Sequence, residues 1–230
     1  MADFKYVSYN VASLLDRIKR GEIGLPEIQR PFVWSNTKVR DLIDSMYIGF
    51  PVGSLLLWST GADADAKQIG TDHKQAVSSL LSVDGQQRLT SLYAVICGIP
   101  ILRKDYREGR ISITFRPHDQ KFEVADAAVK NDPEFIADIT EVFAGSLLSF
   151  ATEYLAKVEA YRDVQIGIAE KEQLVKNIER LKLLQNYLFQ AIELDRTVDD
   201  EEVAEVFVRI NSKGVSLNNA DFILTLMSVC

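Results

Sequence analysis

Residues 80–96 constrain the fold more than any other stretch of this sequence. The apolar pair Leu80-Leu81 leads into Ser82-Val83-Asp84-Gly85-Gln86-Gln87-Arg88-Leu89-Thr90, and Leu89, Leu92, Tyr93 and Ile96 then recur at helical spacing. The pattern predicts a buried strand, a tight glycine turn and the start of an amphipathic helix. Such a junction aims backbone N–H groups and the positive end of a helix dipole at one point in space. A carboxylate, two carboxamides and a guanidinium sit on the same turn. They suit a phosphate, a metal-bound phosphate or an ordered water. The same residues also read as a solvated first helical turn with a local Asp84–Arg88 ion pair.

Around this junction the chain alternates short strands with helices. Asn10 is placed to cap a helix with apolar face Val11, Leu14, Leu15 and Ile18, stopped by Gly21. Ser35 or Asn36 caps a second, with Val39, Leu42, Ile43 and Met46 at helical spacing before Gly49 and Pro51. Residues 53–58 read as a buried strand and 59–77 as a polar surface loop. Ile111–Phe115 alternates as a strand, with Lys121–Val124 as its hairpin partner. From Pro133 the pattern turns helical. Lys171–Phe189 predicts one long helix, with Leu174, Ile178, Leu181, Leu184 and Leu188 on a stripe that serves either as core or as a dimer contact. Ala191–Leu194 reads as a short strand, Asp199 or Asp200 caps a further helix, and Asn218 or Asn219 caps the last. The layout is α+β: a mixed α/β part over 1–125, then a mainly helical part over 126–230. The glycine fingerprints of Rossmann and P-loop folds are absent.

Composition narrows the function classes. Hydrophobic residues make up 47% of the 230 and charged residues 26%, enough for a substantial core. The net charge of −7 argues against general polyanion binding, so any DNA contact needs a local basic patch such as 103–110. Two cysteines are too few for a disulfide framework, and Cys97 is placed on the apolar side of its helix. His73 and His118 lie far apart without zinc-type spacing. No apolar run reaches membrane-spanning length and no signal peptide is visible, which fits a cytoplasmic protein. The stretch 221–230 ends on an uncapped apolar helical pattern, so the chain is expected to be the N-terminal piece of a longer protein.

Three polar constellations stand out. In the first, Gln29 and Arg30 lie in Pro26-Glu27-Ile28-Gln29-Arg30-Pro31-Phe32-Val33-Trp34, where flanking prolines present the guanidinium at low entropic cost. The second is the 84–88 turn. Asp84 is placed to hold Mg²⁺ or orient a water, Gln86 or Gln87 to position the attacking water, and Arg88 to stabilise charge on a transferred phosphoryl group. In the third, Phe207-Val208-Arg209-Ile210-Asn211-Ser212-Lys213-Gly214-Val215-Ser216-Leu217, a helix ends with Arg209, Asn211, Lys213 and Gly214 around a turn. Taken singly, each has a plain structural reading: a surface arginine, a local ion pair and a helix C-cap.

Together, in this order, the three segments resemble the N-terminal domain of GmrSD-type (type IV) restriction endonucleases and related phage-defence proteins. The helix at 39–46 and Gly49-Phe50-Pro51-Val52-Gly53-Ser54 match as well, so the resemblance runs from about Pro26 to Met227. It implies a ParB/sulfiredoxin-like core with helical elaboration. It also implies a regulatory domain that binds and hydrolyses a nucleoside triphosphate with Mg²⁺ and works with a C-terminal or partner nuclease on modified DNA. The hydrolysis motif falls on Asp84, Gly85, Gln86, Gln87 and Arg88. The other motifs fall on Gln29 and Arg30, and on Arg209, Asn211 and Gly214. No His-Asn-His nuclease motif is visible around His73 or His118. The alternative is a non-catalytic DNA-binding module using Arg30, Arg40, Arg88, Arg103, Lys104, Arg107 and Arg110. A third reading is a structural adaptor with its arginines in internal ion pairs.

Overall fold

The computed structural model describes residues 3–25, 32–61, 78–103 and 105–211. Among them are nine strands and eight α-helices, an α+β arrangement as the sequence predicts. The chain separates into two compact units, Met1–Arg30 with Gly53–Leu89 and Leu188–Cys230, and Pro31–Val52 with Thr90–Tyr187.

The first unit is built on a five-stranded mixed sheet. Its strands are β1 (Phe4–Asn10), β2 (Ile23–Gly24), β3 (Leu55–Ser59), β4 (Leu80–Asp84) and β9 (Leu188–Leu194), in the order β1-β9-β3-β4-β2. β1 pairs antiparallel with β9 and β3 with β4, whereas β3–β9 and β2–β4 are parallel. The apolar run of β3 follows from burial on both faces: Leu55, Leu56 and Leu57 are at most 2% exposed although successive side chains point to opposite sides. Each such leucine contributes roughly 2 kcal/mol of burial. Leu56 joins Val83, Leu194, Val198, Val203 and Phe207 in one buried cluster that fixes helix α8 (Asp200–Asn211) to the sheet. Trp58 Nε1 donates to the Val198 carbonyl at 3.1 Å, just ahead of that helix. Helix α1 (Val11–Lys19) buries Val11, Leu14, Leu15 and Ile18, and Asn10 caps it by accepting from the Ser13 amide at 2.8 Å. Asp199 caps α8 in the same way through the Glu202 amide at 2.9 Å.

The second unit contains α2 (Asn36–Ile48), the hairpin of β7 (Ile113–Arg116) and β8 (Lys121–Val124), the short pair β5 (Ile101–Leu102) and β6 (Glu108–Gly109), and helices α4 (Ala127–Lys130), α5 (Thr140–Ala144), α6 (Leu147–Arg162) and α7 (Ile168–Lys182). Ser35 caps α2 through the Lys38 amide and Gly49 closes it in the left-handed conformation. Tyr47, Phe115 and Phe122 form its aromatic centre, with ring centroids 4.6–5.3 Å apart. Asn177 of α7 is only 4% exposed. Its Nδ2 donates to the Pro117 carbonyl at 2.7 Å, its Oδ1 accepts from Gln173 Nε2 at 2.9 Å, and its backbone carbonyl accepts from the Tyr47 hydroxyl. A buried residue satisfied at each polar group locks α7 to the hairpin and to α2. The remaining helix, α3 (Gln86–Cys97), carries the boundary between the units, which falls at Leu89.

Several expectations change. The long helix predicted over Lys171–Phe189 ends at Lys182 and tightens into a 3-10 turn over Leu183–Asn186. Leu188 and Phe189 belong to β9, where burial alternates and Leu188 faces outward at 60% exposure. Leucines spaced for a helix therefore continue into a strand whose partners are distant in sequence. β9 also brings residues from the stretch read as mainly helical into the same sheet as β1, a strand that the sequence pattern does not announce. Cys97 is exposed and not packed on an apolar face. It is the last residue of α3, where the helix no longer covers it. The loop over 59–77 and the last predicted helix lie mostly or wholly outside the described residues.

Candidate functional site at the Asp84 turn

β4 ends at Asp84, Gly85 turns the chain, and α3 begins at Gln86, as the sequence predicts. Gly85 has φ +93°, a left-handed conformation that favours glycine. A Cβ there would collide with Leu55 Cδ2 and lie 3.3 Å from Arg88 Nη2. The Leu89 amide donates to the Gly85 carbonyl at 3.0 Å, closing the first helical turn. Gln86 Nε2 donates to the Ser82 carbonyl at 2.6 Å and ties that turn back onto β4.

Arg88 Nη2 donates to Asp84 Oδ2 at 3.1 Å. The local ion pair that the sequence admits as a structural contact is thus present. Its surroundings set it apart from an ordinary helix-surface pair. The Arg88 side chain is 14% exposed and that of Asp84 35%. A Cβ at Gly53, just before β3, would collide with Arg88 Nη1, and Gly53 also has positive φ, +89°. The guanidinium therefore lies against two glycines on separate segments, with a partly exposed carboxylate beside it.

One carboxylate that is 35% exposed is the kind of donor that Mg²⁺ arriving on a triphosphate would use, since Mg²⁺ commonly takes one or two carboxylates plus phosphate oxygens and water. Asp84 is the residue that would hold it. Among the described residues no three His, Cys, Asp or Glu side chains gather as a metal-binding group.

The third motif comes close to the second through packing: Phe207 of α8 lies in the same buried cluster as Val83 and Leu56. Arg209, two residues on, is exposed and pairs with Glu205 on its own helix. Gln29, Arg30, Lys213 and Gly214 lie outside the described residues, as does the side chain of Asn211. β2 runs parallel to β4, in register Ile23–Leu80 and Gly24–Leu81.

The arginines of the DNA-binding alternative have other partners. Arg40 pairs with Asp41 at 2.7 Å, Arg110 with Asp138 at 3.3 Å, and Arg107 lies 4.0 Å from Asp105. Arg103 Nη2 donates to Asn36 Oδ1 at 2.7 Å and its guanidinium lies over the Phe32 ring. Lys104 and Arg30 are outside the described residues.

Sequence reasoning missed a second polar cluster, carried by β1 and β9. Glu193 is 5% exposed. Its Oε2 meets Lys5 Nζ at 2.7 Å, and its Oε1 accepts from the Tyr9 hydroxyl, which in turn accepts from Arg17 Nη1 at 3.0 Å. These residues, with Ser59 and Ser79, line a cavity of about 400 Å³. Burial, and then the neighbouring Glu193 carboxylate, push the Tyr9 hydroxyl up to about 12, with Arg17 opposing. The available signal was a lone glutamate in an apolar strand, Ala191-Ile192-Glu193-Leu194.

Comparison with known proteins agrees with the motif resemblance. A stretch of 102 residues is 30% identical to the uncharacterized protein MJ0686 of Methanocaldococcus jannaschii, covering 39% of this chain and 18% of that protein. Among the described residues no helix is long and apolar enough to cross a membrane. The family model for the GmrSD restriction endonuclease N-terminal domain matches residues 11–228, which takes in every element from α1 to α8 together with all three motifs, and the chain belongs to that family.

Proposed function

We propose that this domain binds a nucleoside triphosphate with Mg²⁺ at the Asp84 turn and hydrolyses it, as the regulatory part of a restriction or phage-defence protein acting on modified DNA. The observation that carries this reading is the partly exposed Asp84 carboxylate beside an Arg88 guanidinium set against two glycines. Mg²⁺, when bound, offsets phosphate charge. Asp84 orients the metal-bound phosphates and the incoming water. Gln86, anchored to Ser82, and Gln87 supply carboxamides that hold the water in line. Arg88 stabilises charge on the transferred phosphoryl group. The water oxygen bonds to the γ-phosphorus, the β,γ-bridging P–O bond breaks, and the water's proton passes to solvent, leaving diphosphate nucleotide and inorganic phosphate. Gln29, Arg30, Arg209, Asn211, Lys213 and Gly214 complete the phosphate contacts in this reading. Nuclease chemistry belongs to a further domain or a partner. A ParB/sulfiredoxin-like fold of the core, as the family resemblance implies, is part of this reading.

The test is hydrolysis of ATP, GTP, CTP and UTP with Mg²⁺ by the purified chain beside Asp84→Ala. Turnover of at least one nucleotide that vanishes in the variant supports the site. Turnover equal in both assigns the chemistry to another part of the protein.

A further inference from the structure

We propose that Gly53 is a positioning residue of this site: with Gly85 it forms a two-walled slot that sets the Arg88 guanidinium toward the bound anion. What the arginine contacts rests on the nucleotide reading above, whereas the slot rests on geometry alone. Gly53 lies in the segment before β3, outside the 84–88 turn, and reaches Arg88 only through the fold.

The slot follows from three observations. Gly53 and Gly85 have φ +89° and +93°, conformations that L side chains rarely adopt. A Cβ on Gly53 would collide with Arg88 Nη1, while one on Gly85 would crowd Arg88 Nη2 at 3.3 Å. The third contact is Asp84 Oδ2, 3.1 Å from Nη2. Two bare backbones and one carboxylate are thus among the contacts that set the direction of the guanidinium. Because Arg88 Nη1 is the far end of a flexible side chain, a methyl group at Gly53 displaces the guanidinium without breaking the core. An arginine pre-set in this way loses little freedom on meeting a phosphate, so a small displacement costs affinity.

The test compares Gly53→Ala with Gly21→Ala. Gly21 also has positive φ, +74°, but a Cβ there meets nothing within 4 Å, so it reproduces backbone strain without the collision. The arginine Nε–H signal of Arg88, assigned by its loss in Arg88→Ala, is followed by NMR, and triphosphate affinity by titration calorimetry. The slot predicts that Gly53→Ala moves the Arg88 signal and Gly21→Ala does not. It further predicts about a tenfold loss of affinity in Gly53→Ala and no additional loss when Gly53→Ala is added to Arg88→Ala. An unmoved Arg88 signal overturns the slot. So does an affinity equal to that of the parent, or a loss that adds fully to that of Arg88→Ala. If the parent chain binds no triphosphate, the nucleotide reading fails, and the NMR signal still decides the slot.

Discussion

The Glu193 cluster on β9 and the Asp84 turn at the end of β4 are built on opposite lines. On β9 the Glu193 carboxylate is 5% exposed and is met by Lys5 and the Tyr9 hydroxyl. At the end of β4, Asp84 is 35% exposed and accepts a 3.1 Å hydrogen bond from Arg88, whose guanidinium is set against two left-handed glycines. A buried carboxylate must be paired where it sits, because an unpaired charge in the interior is costly. Glu193 meets that need within the sheet and ties β1 to β9. Asp84 is partly open to solvent, while Leu55 and Arg88 fill the space that a side chain at Gly85 would need. One carboxylate is a tie between β1 and β9; the other is the one that the nucleotide reading assigns to a ligand.

The sharpest way to break this contrast is to remove each carboxylate in turn. Asp84→Ala is expected to lower triphosphate turnover at least 100-fold, about 2.7 kcal/mol of transition-state stabilisation, with a melting temperature close to that of the parent. Unfolding of this variant would make Asp84 a structural residue instead. Glu193→Ala is expected to do the reverse. It leaves the Tyr9 hydroxyl without its acceptor and opens a small void, lowering stability by about 2 kcal/mol, read from the urea midpoint, while turnover per folded molecule stays unchanged.

Alkaline pH gives a smaller effect. Tyr9 ionises at about 12 in the folded chain against an ordinary 10.0. The folded state therefore keeps its proton longer, so this stabilisation is complete below pH 10 and is lost as pH rises from 10 to 12. After allowance for solvent screening it amounts to on the order of 1 kcal/mol. Tyr47 contributes in the same window, its hydroxyl also pushed up to about 12 by burial. The difference between the parent and Tyr9→Phe in urea midpoints at about pH 9 and about pH 11.5 isolates the Tyr9 part; parallel pH profiles would remove it.

Legibility in the sequence follows the same contrast. The Asp84 turn was legible because its signals are local: an apolar strand, a glycine and a helical period lie within 17 consecutive positions. The caps at Asn10, Ser35 and Asp199 were legible for the same reason, each being a side chain that reaches an amide three residues on. The Glu193 cluster depends on β1 pairing with β9 across more than 180 residues, and no local pattern announces such a partner. The same distance hid the strand at Leu188 behind a helical leucine spacing. Gly53 belongs with these: its glycine is required by an arginine that the fold, and not the local sequence, brings against it.

The most direct measurement is a backbone-amide NMR titration of the chain with Mg²⁺ and a hydrolysis-resistant triphosphate. The predicted result is a set of shifts at Gly53 and across Asp84, Gly85, Gln86, Gln87 and Arg88, with Lys5, Tyr9 and Glu193 unmoved. Shifts at Lys5, Tyr9 and Glu193 with a silent Asp84 turn would contradict it and assign the ligand to the Glu193 cluster.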